Sequence, residues 1–212
     1  MRAIWIWLAV STMVLSLIGC ASTPPSSFYT LSPLPMDEQI PPEGLSIGLG
    51  PVSLPVFLDR PQIVSRETDN RLRVDELHRW GGTLQDDFLR VWSENLALLL
   101  GTSRILIFPS EIRFALDFRI AAEVLAFEQG ADGQAVLRVR WMVMDGRTDE
   151  VLLVRRQTYG EAIPAPGDTN AMLVALSATV GDFSKDVASA LRTLPRPVGQ
   201  VAQPELEQRR RG

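Results

Sequence analysis

Few residues in this chain are of types that carry out chemistry, and those few are dispersed. Histidine occurs once, at His78, and cysteine once, at Cys20. A metal site around His78 would need carboxylates or a thiolate converging from elsewhere, so the plain reading of His78 is a polar residue beside a helix. The chain contains no G-x-S-x-G nucleophile elbow, no H-E-x-x-H zinc motif and no phosphate-cradling glycine loop closed by Lys and Ser or Thr. Gly48-Leu49-Gly50 begins a dinucleotide fingerprint but lacks its third glycine, and Pro51 stands where a helix would have to open. Carboxylate pairs such as Asp86 with Asp87, or Asp117 with Glu123, are what a solvated helix or strand face carries. The inventory points to a non-enzyme without a resident cofactor. Arg113, Arg119, Arg138, Arg140, Arg155 and Arg156 fall in runs of strand periodicity. They form either a basic stripe that meets lipid phosphates or an acidic partner, or, in the commoner arrangement, cross-strand pairs with Asp117 and Glu123 on a solvated face.

The cysteine has a chemistry of its own. Met1-Arg2 supplies a short positive start, and Ala3 to Ile18 is uncharged but short and poorly flanked for a membrane span, as in a secretory signal. Leu17-Ile18-Gly19-Cys20 follows directly and resembles the lipobox cleaved by lipoprotein signal peptidase. The alternatives are a plain secretory signal ending near a cysteine and an uncleaved anchor. Cysteine usage argues against both, because a secreted chain with one thiol has no internal disulfide partner. A thioether-linked diacylglycerol plus an N-acyl chain on Cys20 removes the anomaly and supplies enough acyl chain for stable anchoring. Ala21 and Ser22 follow, rather than the aspartate that retains enteric-type lipoproteins at the inner membrane, so the expected address is the outer membrane, facing the periplasm. The expected organisation is a signal peptide at 1–19, a lipidated and proline-rich tether at 20–44, one globular domain at 45–195 and a disordered tail at 196–212.

About 190 residues remain after the signal, and with 46% hydrophobic content in the precursor they suffice for one substantial core. The net charge is −4 and no basic block interleaves with aromatics, which excludes a nucleic-acid footprint. Residues 21–44 carry Pro24, Pro25, Pro33, Pro35, Pro41 and Pro42, which favour extended chain. Within them, Phe28-Tyr29-Thr30-Leu31 is an aromatic, β-branched patch able to dock as an edge strand. Strands are expected over Leu45–Ser53, in a hairpin of Gln62–Arg66 with Arg71–Asp75, and over Arg104–Phe108. Alternation then places Phe114, Leu116, Phe118, Ile120, Ala122 and Val124 on one face, followed by Leu137, Val139, Trp141 and Val143, with Val151–Tyr159 completing an antiparallel meander. One helix is expected from Thr83 to Leu100, with Leu84, Phe88, Val91, Leu96 and Leu99 on its apolar stripe and Gly101 as its stop. A second starts at Asp168-Thr169 and places Leu173, Leu176, Val180, Phe183, Val187 and Leu191 on one side until Pro195. Each helix must lay its apolar side on the sheet. The fold class is therefore α/β, a layered domain with a mixed, largely antiparallel sheet and two main helices.

The segment Val52-Ser53-Leu54-Pro55-Val56-Phe57-Leu58-Asp59-Arg60-Pro61-Gln62-Ile63-Val64-Ser65-Arg66 resembles the PqiC family, the ABC-type transport auxiliary lipoproteins. Phe28-Tyr29-Thr30-Leu31, Arg79-Trp80 before Leu84, and Asn95-Leu96-Ala97 resemble the family pattern in the same order. The chain departs from it at Val56-Phe57, where a polar residue and a tyrosine are expected, and at Gly81-Gly82. The resemblance implies a three-layer, anticodon-binding-like α/β fold. It also implies a non-enzymatic outer-membrane accessory or docking subunit of an MCE-type intermembrane lipid transport system, contributing to envelope integrity. The partners so implied are an MCE-domain subunit, the outer membrane through the lipid anchor, phospholipid, and further copies of the chain, because MCE subunits assemble as rings.

The candidate contact residues are Leu58, Asp59, Arg60, Pro61, Gln62 and Arg66, where Pro55 and Pro61 stiffen an apolar segment flanked by charge. The plain alternative is that Asp59 and Arg60 fix a turn and Pro61 starts a strand. Two other functions stand beside docking: a periplasm-facing lipid carrier holding an acyl chain between helix and sheet, and a structural envelope tether without a ligand.

Overall fold

The computed structural model describes residues 24–35 and 44–196; the signal segment, Cys20 and the tail beyond Arg196 lie outside the described residues. Chain order is β1 (Ser27–Tyr29), β2 (Ile47–Ser53), β3 (Gln62–Thr68), β4 (Arg71–Trp80), α1 (Leu84–Leu100), β5 (Ile105–Ile107), β6 (Phe118–Gln129), β7 (Gln134–Asp145), β8 (Val151–Ala162) and α2 (Thr169–Thr193). All eight strands form one mixed sheet in the order β1-β4-β3-β6-β2-β5, with β7 on the other edge of β6 and β8 beyond β7. The long ladders, β3–β4, β6–β7 and β7–β8, are antiparallel; β1 on β4, and β5 and β6 on β2, are parallel. The layered α/β architecture is the one that the periodicity requires.

Both helices lie on one face. Leu137, Val139, Trp141 and Val143 point to it from β7, and Phe118, Ile120, Ala122 and Val124 from β6, all buried. Phe183 of α2 is the centre of the contact. It stacks on Trp92 of α1 with ring centroids 5.0 Å apart, and Trp141 meets its edge at 6.1 Å. Phe88 meets Phe127 of β6 edge-on at 5.8 Å. Such offset and T-shaped arrangements add to the burial of large rings. Tyr159 of β8 closes this cluster, its hydroxyl donating to Asp186 Oδ2 at 2.8 Å. Burial first, and the Asp186 carboxylate second, push the phenol well above its ordinary range.

The helix ends are set by local chemistry. Thr83 Oγ1 accepts from Asp86 N–H at 3.1 Å, and Gly101 closes α1 in the left-handed region at φ 58°, a conformation that glycine adopts without strain. Asp168 caps α2 by accepting from Asn170 N–H at 2.8 Å.

Three elements differ from the sequence expectation. Residues 113–117 are not strand: β6 starts at Phe118, and Leu116 is buried against Gly48 and Gly146 from a loop. The strand at 104–108 shortens to Ile105–Ile107 and lies at the sheet edge, with Ile107 exposed. Finally, the chain that follows the edge strand expected at Phe28–Leu31 is packed as well. β1 pairs with β4, and residues 31–34 then cross both helices. Leu31 N–H donates to Asp87 Oδ2 at 2.6 Å, Ser32 N–H to Ser177 Oγ at 3.1 Å and Leu34 N–H to Asn95 Oδ1 at 2.7 Å. Leu34 sits on Gly181, where an added Cβ would come within 2.7 Å of its Cδ2. The prolines of this stretch lack donors, but the residues between them supply the backbone N–H groups that these helix side chains accept.

Asn95 is buried and serves this strap on one side and Ser184 on the other. Replacing Asn95 with Leu leaves the Leu34 N–H without an acceptor, so it should destabilise the fold by about 1–3 kcal/mol. Limited proteolysis should then cut at residues 32–35 before global unfolding. Unchanged protection of that stretch would show that the strap is held by something other than Asn95.

Candidate functional site

The segment singled out by sequence lies between β2 and β3 and is a compact turn. Pro55 O accepts from Leu58 N–H at 2.9 Å, Val56 O from Asp59 N–H at 3.2 Å and Leu58 O from Arg60 N–H at 2.9 Å. Pro61 O then accepts from Trp80 N–H at 2.7 Å, which locks the exit onto the end of β4. Leu58 is 3% exposed and anchors the turn in the core. Asp59 and Arg60 are exposed at its tip, and their side chains have no partner among the described residues. Backbone bonds and one buried leucine thus hold the turn, while Val56, 88% exposed, stands beside the two charges. The remaining candidates serve the fold. Gln62 Nε2 donates to Glu76 Oε2 at 3.2 Å, and Arg66 Nε donates to Glu128 Oε1 at 2.5 Å with its guanidinium 5.9 Å from the Phe57 ring centroid.

The arginines divide. Arg140 pairs with Glu123, its neighbour across the β6–β7 ladder, and Arg119 with Asp149 at 2.5 Å. Arg155 lies 5.8 Å from the Trp141 ring centroid. Asp117 takes no arginine and accepts from Ser46 N–H at 2.8 Å instead. Arg138 and Arg156, on the helix-free face, have no side-chain partner among the described residues. His78 Nδ1–H donates to Asp75 Oδ2 at 2.8 Å. Burial pushes the Asp75 carboxyl up, but the Leu77 and His78 N–H groups and the His78 ring outweigh it and hold the group below its ordinary range. The pair sits on an irregular stretch of β4, with the His78 and Asp75 side chains 33% and 41% exposed. No group of three or more metal-ligating side chains occurs among the described residues.

The ABC-type transport auxiliary lipoprotein component family matches this chain over residues 29–188. The chain belongs to this family. No curated protein matches it in sequence. Among solved structures, an uncharacterized protein superposes with a TM-score of 0.65 at 15% identity, covering 79% of this chain and 99% of that one. A Xanthomonas campestris protein of the DUF330 family does so with a TM-score of 0.62 at 16% identity, covering 78% and 94%. At such identity the likeness is one of fold. The family is an auxiliary transport component and not an enzyme family. In this auxiliary lipoprotein the matched span opens at Tyr29, the last residue of β1, and so takes in the strap at 31–34 that crosses α1 and α2.

One residue escaped the sequence reading. Glu128 looks like a solvated strand carboxylate but is 2% exposed. The available signal was the apolar run Leu125-Ala126-Phe127, which breaks the alternation of β6 and marks an inserted residue. Replacing Asp59 or Arg60 with Ala should move the urea midpoint by no more than about 0.5 kcal/mol of stability. Arg66→Ala should cost about 3–5 kcal/mol, because it strands the Glu128 carboxylate in the interior. Losses of similar size at all three positions would show that the tip charges hold the turn.

Proposed function

We propose that this auxiliary lipoprotein is carried on the outer membrane by acyl chains on Cys20, faces the periplasm, and docks an MCE-domain subunit of an intermembrane lipid transport system, so contributing to envelope integrity. It works without a catalytic step or a cofactor. The observation that carries the docking role is the turn at 54–61, a hydrogen-bonded, core-anchored loop that presents Asp59 and Arg60 without side-chain partners among the described residues. Side chains already engaged inside a fold are poor recognition groups, whereas these two keep their full hydrogen-bonding capacity for a partner. Family membership supports a transport role for the chain. The carrier alternative would need acyl-sized space between helix and sheet, and that space is filled by Phe88, Trp92, Trp141 and Phe183, each fully buried. Among the described residues no helix is long and apolar enough to cross a membrane, so the proposed attachment rests on Cys20.

The test is in two parts. Cys20→Ala should abolish the acyl mass shift and the fractionation with outer membrane. In the lipidated chain, Asp59→Ala with Arg60→Ala should lower crosslinking to the MCE subunit as a loss of about 2–5 kcal/mol of charged contact would. The melting temperature of the double variant should be unchanged. A folded double variant that crosslinks at the wild-type yield would place docking elsewhere, and unchanged fractionation of Cys20→Ala would remove the lipid anchor.

A further inference from the structure

The sheet ends at β5, and the chain around that edge carries recognition features that the turn at 54–61 does not use. Ile47 N–H donates to Arg104 O at 2.9 Å, and Phe108 N–H donates to Leu49 O at 2.8 Å. Peptide groups alternate in direction along a strand, so Arg104, Leu106 and Phe108 turn theirs to β2, whereas Ile105 and Ile107 turn theirs to the outside. β5 has no neighbour on that side, and the N–H and C=O groups of Ile105 and Ile107 have no backbone partner among the described residues.

Beside this edge lies a cleft of about 460 Å³, whose apolar walls are Leu106 and Phe108 on one side and Pro109, Ile112, Phe114 and Leu116 of the following loop on the other. A Cβ on Gly48 would come within 2.6 Å of Phe108 Cε2 and 2.8 Å of Leu116 Cδ1, so the missing side chain lets both close over β2. No residue of β2 lines the cleft, which therefore lies on the β5 side of that closure. Ile112, 69% exposed, stands at its lip. The surrounding charge is uneven. The Arg104 guanidinium lies 5.3 Å from the Phe114 ring centroid, and Arg113 lines the cleft; both residues are exposed, and neither has a carboxylate partner among the described residues. Arg119, 5.0 Å from the Phe108 ring centroid, is already taken by Asp149. Glu111, the single carboxylate between Arg104 and Leu116, does not line the cleft.

We propose that β5 and its cleft take up an extended segment of a partner protein by strand addition, the segment carrying an apolar residue with a carboxylate two positions to either side. A strand laid on β5 sets every second side chain on the face of Leu106. There an apolar side chain meets the cleft, and a carboxylate two positions away stands beside Arg104 or at the Arg113 side. Three residues of edge can register such a strand but not hold it, so main-chain bonds supply the alignment and the cleft and arginines supply the selection. This surface shares no residue with the turn at 54–61 and does not depend on the docking role assigned to it.

Residue-resolved amide exchange is followed in the full-length chain in detergent with three probes. They are the peptide acetyl-Thr-Glu-Thr-Val-Thr-Glu-Thr-amide, its counterpart with Lys in place of Glu, and the acidic peptide methylated at its amide nitrogens. The acidic peptide should slow exchange at Ile105 and Ile107 at least about tenfold, the scale of one hydrogen bond, and the other two should leave it unchanged. Arg104→Glu with Arg113→Glu should reverse the preference between the acidic and basic peptides, and Ile112→Ser should weaken the acidic one. The preference shown by the unaltered chain decides the matter even where a variant does not fold. Equal protection by the acidic and basic peptides, or protection by neither, overturns the proposal. Protection of Ile105 and Ile107 that rises with chain concentration before any peptide is added would give the edge to a second copy and overturn it as well. Uptake of oleate that Ile112→Ser abolishes, without protection by any peptide, would make the cleft an acyl-chain site instead.

Discussion

Strand β6 has to satisfy more neighbours than a strand has edges. β7 runs along one side of it, the helices demand an apolar face, and the other side is shared by β2 up to Glu123 and by β3 only at Gln129. Neither β2 nor β3 pairs with residues 124–128. The chain must leave β2 at Ser53 and come back beside β6 as β3, and the turn at 54–61 is how it does so. The same gap is where β6 takes in its extra residue. The turn that presents Asp59 and Arg60 and the burial of Glu128 are thus two outcomes of one problem in strand pairing, and Arg66, set between Phe57 and Glu128, joins them.

Where a local rule decides the structure, the chain states it openly. The Thr83 and Asp168 caps, the Gly101 stop and the odd-numbered apolar residues of β7 are each specified within a few positions, and the observed helices and meander follow them closely. The same holds for the docking of Phe28-Tyr29 as an edge strand. Long-range decisions are a different matter. The parallel pairing of β2 with β6 has no sequence mark, because a strand buried on one face reads alike in either direction. The strap at 31–34 is invisible because its partners, Asp87, Asn95 and Ser177, look like ordinary polar helix residues. The burial of Glu128 depends on a one-residue slip that inverts every later side chain of β6. The tip of the 54–61 turn was legible as a segment, but only coordinates separate Leu58, which is buried, and Arg66, which is engaged, from Asp59 and Arg60, which have no side-chain partner among the described residues.

The arginines teach a related lesson about charge. Cross-strand pairing accounts for Arg140, on Glu123, whereas Arg119 pairs with Asp149 in the β7–β8 turn, and among the described residues Arg138 and Arg156 have no side-chain partner. An open antiparallel face tolerates such residues because water screens them. The domain is thus asymmetric, with one side of the sheet packed under the helices and the other open.

The strap has a mechanical consequence. Ser27 stands seven positions after Cys20, a span of at most about 25 Å when fully extended. Tension applied to the chain ahead of Ser27 meets the β1–β4 ladder first, then the hydrogen bonds of Leu31, Ser32 and Leu34, and is passed to α1 and α2 before it reaches Met36. The load path therefore ends in both helices at once, through Asp87 and Asn95 on one and Ser177 and Gly181 on the other. A pull from the N-terminus tightens the strap across the helix pair, and the domain follows it as a single body.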